Sequence, residues 1–278
     1  MRAMIVLTPA ESKKIISKGF LKLKPVQNAL NYGYLILCEG STNVFIAREL
    51  VKEEIKTETF LSGISSQGVL CNSARAVRGN FPLIFYKGQI VKKTIREALD
   101  DFNKHTVFIK GGNAIDSTKT VGMIISGYTG GSIAEAIGTC VSQGLKIISP
   151  IGLEKSMSSV FEASKVCGGK TFDYSMGADF GLMVVPHAQP ITEIEALNLL
   201  AEDSISVSHV ASGGIDGSEG SVVLVLEGSD ESIKKVLKIV EKVKGEARQV
   251  SIRMDCNDCK YVNCRYHKSN KYYSGINS

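Results

Sequence analysis

The sequence predicts an α/β fold: a mostly parallel sheet flanked by helices, followed by a smaller α+β domain of the ferredoxin-like type. Up to about residue 180, short apolar runs alternate with segments of helical spacing. The runs are almost continuously apolar, as expected of strands that are covered on both faces. After residue 180 the order changes to βαββαβ. With 278 residues and 44% hydrophobic content, the chain can bury the cores of two domains.

In residues 1–180, helices and strands are assigned from the spacing of apolar residues and from residues typical of turns and helix caps. Thr8 is a candidate N-cap for the first helix, and apolar residues of the third helix recur at helical spacing from Val44 to Ile55. The predicted elements are, in order, helices at 10–18 and 26–32, a strand at 34–38, a helix at 44–56, strands at 59–64 and 83–91, a helix at 94–102, strands at 107–109 and 121–125, a helix at 133–141 and a strand at 145–151.

The second region has fewer helices between its strands. The predicted elements are, in order, a strand at 182–186, a helix at 191–202, strands at 205–212 and 221–227, an amphipathic helix at 230–244 and a strand at 247–254. Three parts are therefore expected: an α/β ligand-binding domain at 1–180, a ferredoxin-like domain at 181–254 and a Cys/His-rich tail at 255–278.

Charge and hydropathy exclude several classes of partner. The net charge of +5 is spread among acidic residues, and only the tyrosine-containing segment 260–273 is locally basic, which we interpret as a solvated terminus. Nucleic acid is therefore not the expected partner. No run approaches the ~20 apolar residues of a membrane span, and the first residues lack a secretory pattern. The sequence predicts a cytoplasmic protein without membrane contact.

Three glycine-rich turns follow predicted strands and precede helices or further strands. Free backbone amides and the positive end of a helix dipole bind anions at such places, so phosphate or carboxylate binding is predicted. The alternatives are that the glycines only make tight turns and that the polar residues of the first turn only cap a helix. The candidate ligand-binding residues are Gly40, Ser41, Thr42 and Asn43, then Gly111, Gly112 and Asn113, then Gly130, Gly131 and Ser132.

These turns carry a family resemblance. The segment 35–43, with its following helix, resembles the Gly-Ser-Thr turn of the ribose-5-phosphate isomerase, glucosamine-6-phosphate deaminase and CoA-transferase superfamily. The segments 108–116 and 129–132 resemble its other Gly-rich strand ends, so the resemblance covers roughly residues 30–155. It implies a prokaryotic branch of that superfamily, ligands such as phosphosugars, nucleotides or CoA esters, and a ferredoxin-like lid. The two-aspartate pattern of the isomerases is reduced here to Asp116.

Three further residues are candidates for chemistry at the same edge. Lys110 could neutralise an anion or act as an acid, or be a plain exposed lysine. Asp116 could be a general base or bind a sugar hydroxyl, or only close a turn. Glu154 follows the carboxyl end of a predicted strand, where open α/β sheets bind ligands, although an exposed ion pair with Lys155 would have the same sequence.

A metal site is predicted in the tail. Cys256, Cys259, Cys264 and His267 have C-x2-C-x4-C-x2-H spacing, which suits a closed, structural zinc site. Unligated reduced thiols and an iron–sulfur cluster are the alternatives. The other four cysteines are interpreted as buried reduced thiols.

Two functional hypotheses follow. The first is an enzyme that acts on a phosphorylated or CoA-linked small molecule, with Lys110 and Asp116 as catalytic residues and the second domain as a lid. The second is a non-catalytic protein of the same fold that senses the anion and uses the second domain or the tail for assembly. The oligomeric state stays open, a homo-oligomer included.

Overall fold

The computed structural model describes residues 1–267 and shows a mixed α/β fold. The helices are α1 (Pro9–Phe20), α2 (Lys24–Tyr32), α3 (Asn43–Val51), α4 (Ile95–Asp100), α5 (Gly131–Gln143), α6 (Val160–Lys165), α7 (Glu193–Leu200) and α8 (Asp230–Val243). The strands are β1 (Arg2–Leu7), β2 (Tyr34–Leu37), β3 (Gly63–Ser66), β4 (Val69–Asn72), β5 (Leu83–Tyr86), β6 (Gln89–Ile90), β7 (Val107–Ile109), β8 (Ala114–Ile115), β9 (Val121–Ile125), β10 (Lys146–Pro150), β11 (Gly181–Val185), β12 (Ala188–Ile191), β13 (Ile205–Gly213) and β14 (Ser221–Gly228).

The central sheet has six strands in the order β12-β10-β7-β2-β5-β6. Its first four strands are parallel to their neighbours, as predicted for the α/β region, whereas β5 and β6 run antiparallel. β5 is antiparallel to β2, and β6 is antiparallel to β5 because Lys87 and Gly88 both have positive φ and turn the chain straight back after β5. The sheet is therefore mixed.

Both faces of the central sheet are covered. Successive side chains of β2 point to opposite faces, so Leu35 and Leu37 pack into one core while Tyr34 and Ile36 pack into another. The first core also contains buried residues of α1, α2, α3 and α7, and the second contains those of α4, α5 and β9. The continuous apolar character of the strands is explained by this double burial.

The predicted ferredoxin-like plait of residues 181–254 is not confirmed, because its strands belong to three sheets. β11 pairs with β9, and β12 extends the central sheet by pairing with β10. β13 and β14 form the expected hairpin, but the place beside β14 that the first strand of a plait would take is filled by β1. The predicted last strand, 247–254, is an extended segment with one isolated bridge, between Arg253 and Ser73.

Three strand pairings cross the predicted boundary at residue 180. β11 pairs with β9, β12 pairs with β10, and β1 pairs with β14 from Arg2 opposite Glu227 to Leu7 opposite Val222. The division into domains stays a prediction, and residues 268–278 of the predicted tail lie outside the described part of the chain. Within residues 1–267, no helix has the length and apolar character needed to cross a membrane.

Candidate active site at the carboxyl edge of the central sheet

Four neighbouring parallel strands each lead into an ionisable side chain. Glu39 follows β2, Lys110 follows β7, Glu154 and Lys155 follow β10, and Glu193 follows β12. Parallel strands end at the same edge of a sheet and lie about 4.8 Å apart, so the first and last of these four strands are about 14 Å apart. The edge therefore presents several charges within the length of a small molecule.

The three predicted glycine-rich turns meet at this edge. A Cβ atom at Gly111 would lie 4.0 Å from Oδ1 of Asn43, so the first and second turns are adjacent. Gly131 and Ser132 of the third turn line a cavity of about 550 Å³ together with Glu39. The third turn reaches this place although β9, which precedes it, belongs to another sheet. The three turns are therefore neighbours, and their role in binding a ligand stays a prediction.

Lys110 is paired with a residue that the sequence analysis missed. Its Nζ lies 2.8 Å from Oε1 of Glu39, and both side chains are largely buried, with 17% and 16% of their surface exposed. Burial works to lower the pKa of Lys110, but the Glu39 carboxylate and the Cys38 thiol raise it above its usual value. Lys110 is therefore a charged, compensated group and not a plain exposed lysine.

Polar side chains of the first turn do not cap α3. Thr42 is the N-cap residue by position, yet its backbone is already helical and its side chain makes no capping hydrogen bond. Its buried hydroxyl and Oδ1 of Asn43 both lack a hydrogen-bond partner among the described residues, while Nδ2 of Asn43 donates to the carbonyl of Cys38 at 2.8 Å. Unpaired buried acceptors and donors are costly, and neither residue lines the cavity beside Glu39.

Asp116 and Asn113 have local structural roles. The Asp116 carboxylate accepts hydrogen bonds from the backbone of Thr118, Thr120 and Val160 and from the Thr118 hydroxyl. Burial works to raise the pKa of Asp116, but these hydrogen bonds lower it below its usual value. Oδ1 of Asn113 accepts from the backbone of Ile124. Within residues 1–267, no hydrogen bond or ion pair joins Asp116 to Lys110, so the two predicted catalytic residues do not form a pair.

A second charged group lies on the β10–β12 side of the same edge. Burial, and to a smaller extent the charge of Glu154, raise the pKa of Glu193 to about 7. Burial likewise lowers the pKa of Lys13 to about 8, helped by Lys155 and opposed by Glu154 and Glu193. Neither residue was predicted to be functional, and within residues 1–267 no hydrogen bond or ion pair joins the two.

Several buried oxygen atoms around Glu193 and Glu154 have no hydrogen-bond partner among the described residues. Oε2 of Glu193 accepts from the backbone of Leu153 at 2.9 Å, and Oε1 lies near the Ser12 hydroxyl without a well-formed hydrogen bond. Oε2 of Glu154 and the hydroxyl of Ser149 are also buried without a partner among the described residues. Nζ of Lys155 donates to the carbonyl of Gly112 at 3.0 Å, which connects the group to the second glycine-rich turn.

The extended segment 246–254 crosses the edge and fixes two of its parts. Oε1 of Gln249 accepts from Nζ of Lys13 at 3.0 Å, and Nε2 of Gln249 donates to the carbonyl of Ser41 at 2.7 Å. One side chain thus positions both the lysine and the first turn. We refer to residues 246–254 as the strap.

The residues that were missed had different signals in the sequence. Glu39 directly follows β2 and satisfies the same strand-end rule that singled out Lys110. Glu193 is the first residue of α7, where acidic side chains are common because they interact favourably with the helix dipole. Lys13 lies in the second turn of α1 and is brought to the edge by helix packing, which no local pattern shows.

The predicted metal ligands lie close together in the tail. Cys259 and Cys264 pack against Tyr261 and Ala178, and Cys256 is exposed. Nε2 of His267 lies 3.0 Å from the carbonyl oxygen of Cys259. Among residues 1–267, no three His, Cys, Asp or Glu side chains have an arrangement that could hold a metal ion as they stand.

Comparison of this chain with protein-family models, with curated proteins and with solved structures finds no match.

Proposed function

We propose that the protein is an enzyme that transfers protons on a small anionic molecule, a phosphosugar, nucleotide or CoA ester, bound at the carboxyl edge of the central sheet. The observation that carries this proposal is that one side of this edge holds a fully buried carboxyl, Glu193, and a lysine, Lys13, that Gln249 fixes in place. Burial moves the pKa of Glu193 to about 7 and that of Lys13 to about 8. Pairs of titratable groups with pKa values moved toward neutrality are typical of acid–base sites.

Binding of an anion is supported by the turns and by the charge at the edge. The cavity beside Glu39 is lined by the first turn of α5, which begins at Gly130 without a side-chain cap. Backbone amides at such a helix start bind anionic oxygens. When Glu193 is neutral, the lysines at the edge outnumber the charged carboxylates, because Lys110 is balanced by Glu39 and Glu154 faces both Lys13 and Lys155.

Glu193 has the properties of a general base that can return the proton as an acid. A carboxyl with a pKa near 7 exists in both protonation states at neutral pH, which is the optimum for proton transfer. Lys13 can stabilise negative charge that develops on the substrate, since its pKa of about 8 keeps it largely protonated at that pH. In this scheme Lys110 and Glu39 orient the ligand, and Asp116 holds the β8–β9 turn.

The test combines ligand binding with isotope exchange. Phosphosugars, nucleotides and CoA esters are screened by thermal shift, where a ligand at ~100 times its Kd stabilises by ~2.7 kcal/mol. The best ligand is then incubated with the protein in D₂O, and deuterium incorporation is followed by mass spectrometry. We expect incorporation by the wild-type protein and loss of about two to four orders of magnitude in Glu193→Gln.

A matched control is Glu241→Gln, which makes the same change at an exposed position of α8 and should leave exchange unchanged. Binding without any isotope exchange or product in either protein would contradict the catalytic proposal. That outcome would favour the second candidate, an anion-sensing regulatory protein, for which the full compensation of Lys110 by Glu39 is the supporting observation.

A further inference from the structure

Three segments that are distant in sequence meet beside β4. Residues of the strap run antiparallel to the chain after β4, with a bridge between Arg253 and Ser73 and a 2.9 Å hydrogen bond from the amide of Met254 to the carbonyl of Asn72. Further along the same edge of β4, Leu70 forms a parallel bridge with Gly177, and the carbonyl of Leu70 accepts from the amide of Ala178. The strap and the segment around residue 177 therefore follow one another along the edge of β4 that does not pair with β3.

This arrangement brings a fourth cysteine to the predicted metal cluster. In an antiparallel pairing of Asn72 with Met254, Cys71 lies opposite the residue before Cys256. The segment around residue 177 also reaches the cluster, because Ser175 forms a parallel bridge with Cys264. Cys71 was interpreted from sequence as an isolated thiol, since 185 positions separate it from Cys256 along the chain.

Electrostatic coupling among the thiols is consistent with this neighbourhood. Burial raises the pKa of the Cys71 thiol, and the thiols of Cys259 and Cys256 raise it further. Burial also raises the pKa of Cys256, with additional contributions from Cys264 and Cys259. The thiols of Cys71 and Cys264 are thus each electrostatically coupled to Cys256.

We propose that Cys71, Cys256, Cys259 and Cys264 are the four ligands of a structural zinc ion and that His267 is not a ligand. Four thiolates at about 2.3 Å around one zinc ion make a closed tetrahedral site without an open position for substrate. Each thiol that binds the metal releases its proton to solvent, and the S–H bond is replaced by a Zn–S bond. Since no three of these side chains within residues 1–267 are arranged to hold a metal ion as they stand, the proposal requires the thiols to reorient about their Cα–Cβ bonds when the metal binds.

The local backbone has the turns that such a site needs. The amide of Cys259 donates to the carbonyl of Cys256 at 3.4 Å, so the C-x2-C segment is already a tight turn with both thiols at its ends. A second turn begins at Cys264, whose carbonyl accepts from the amide of His267 at 2.9 Å. Nε2 of His267 lies at hydrogen-bonding distance from the carbonyl of Cys259, which assigns this ring to holding the loop.

The inference is independent of the proposed reaction, but it explains how the strap is held. One end of the strap continues from α8, and the other leads directly into Cys256. A metal ion that joins Cys256 to Cys71 of β4 would fasten that end to the body of the protein. Gln249, which contacts Lys13 and Ser41, lies between the two fixed points.

Elemental analysis of the full chain, purified under reducing conditions, tests the ligand set. We expect about one zinc per chain in the wild-type protein and in His267→Ala, and loss of the metal in Cys71→Ser and Cys259→Ser. Cys140→Ala, which removes a buried thiol of α5, is the matched control and should keep its zinc. Circular dichroism shows whether each variant is folded.

A second measurement does not depend on the folding of variants. The metal is removed with a chelator, Co²⁺ is added to the wild-type protein, and the visible and near-ultraviolet bands of an all-thiolate tetrahedral site should appear. A spectrum of three thiolates and one nitrogen would overturn the proposal. So would zinc retained by Cys71→Ser, zinc lost from His267→Ala, iron in place of zinc, or a wild-type protein that binds neither metal.

Discussion

Glu193 shows how a single position can determine the character of a site. Its side chain is fully buried, and one carboxylate oxygen already accepts a backbone hydrogen bond from Leu153. Burial disfavours the charged form more strongly than this hydrogen bond favours it, so the pKa of Glu193 rises to about 7. A carboxyl held in this state destabilises the folded protein at high pH, which is a cost commonly found at functional sites.

Glu193→Gln should therefore change the dependence of stability on pH. The folded pKa of about 7 lies above the ordinary value of 4.5, so the favourable contribution of Glu193 is complete below pH 4.5 and is lost as the pH rises through 7. Urea unfolding at about pH 5 and about pH 8 should show the variant gaining up to about 3 kcal/mol relative to the wild-type protein between the two values. Glu241→Gln should show no such gain. If stability depended on pH in the same way in all three proteins, the raised pKa of Glu193 would be contradicted.

At the residue scale, sequence reasoning predicted those parts of the site that depend on local order. Lys110 and Glu154 were singled out because they follow strands, and both lie at the edge. Glu193 was missed because an acid at the start of a helix has an ordinary explanation in the helix dipole. Lys13 was missed because its position depends on how α1 packs.

The contact between α1 and α7 brings Lys13 toward Glu193. α1 has Gly19 at the point of closest approach, and a Cβ there would lie 2.4 Å from the backbone Cα of Ala196 in α7. A helix interior ordinarily prefers alanine to glycine by about 1 kcal/mol. Glycine at this position is thus explained by close helix packing.

Gly19→Ala should lower the free energy of unfolding by about 1–3 kcal/mol, because the added methyl group forces α1 and α7 apart. Gly138→Ala is the matched control, since it lies in α5 with no atom within 4 Å of the added Cβ. The control should raise stability by up to about 1 kcal/mol through helix propensity alone. Chemical denaturation of both variants gives the comparison, and a stabilised Gly19→Ala would mean that the helices are not in close contact.

At the element scale, the errors have identifiable causes. β12 was not predicted, because it is four residues long and contains Pro190. Proline is tolerated there because β12 is an edge strand of the central sheet. The segment 247–254 was predicted as a strand from its alternating apolar residues, but Val250 and Ile252 are exposed, and its role is to cross the edge of the sheet.

For the whole molecule, the mixed α/β class was predicted correctly, and the way its parts are joined was not. The alternation of strands and helices indicates a covered sheet, whereas nothing in the period of β1 shows that its partner lies more than 200 residues away. One hydrophobic core contains residues from both sides of position 180, among them Ile5, Val44, Leu197 and Leu224. Because they share this core, the regions before and after residue 180 pack together.

Separate expression of residues 1–180 and 181–278 tests that connection. The first fragment lacks β12 and α7, and the second lacks β1, so each exposes an apolar surface that the other covers in the full chain. We expect neither fragment alone to show a cooperative unfolding transition, and the two expressed together to recover one. Two independently folded fragments would instead support the domain boundary that the sequence predicts.

The pairing of β1 with β14 also determines when this protein can be completed during its synthesis. Residues of β1 leave the ribosome more than 200 residues before their partners in β14. At about 5–20 residues per second, β1 waits roughly 10–45 s for its neighbour. Throughout that interval its alternating apolar side chains, including Ile5 and Leu7, are without their final cover. A nascent chain of this sequence is therefore expected to need protection by chaperones at β1 until β14 has been translated.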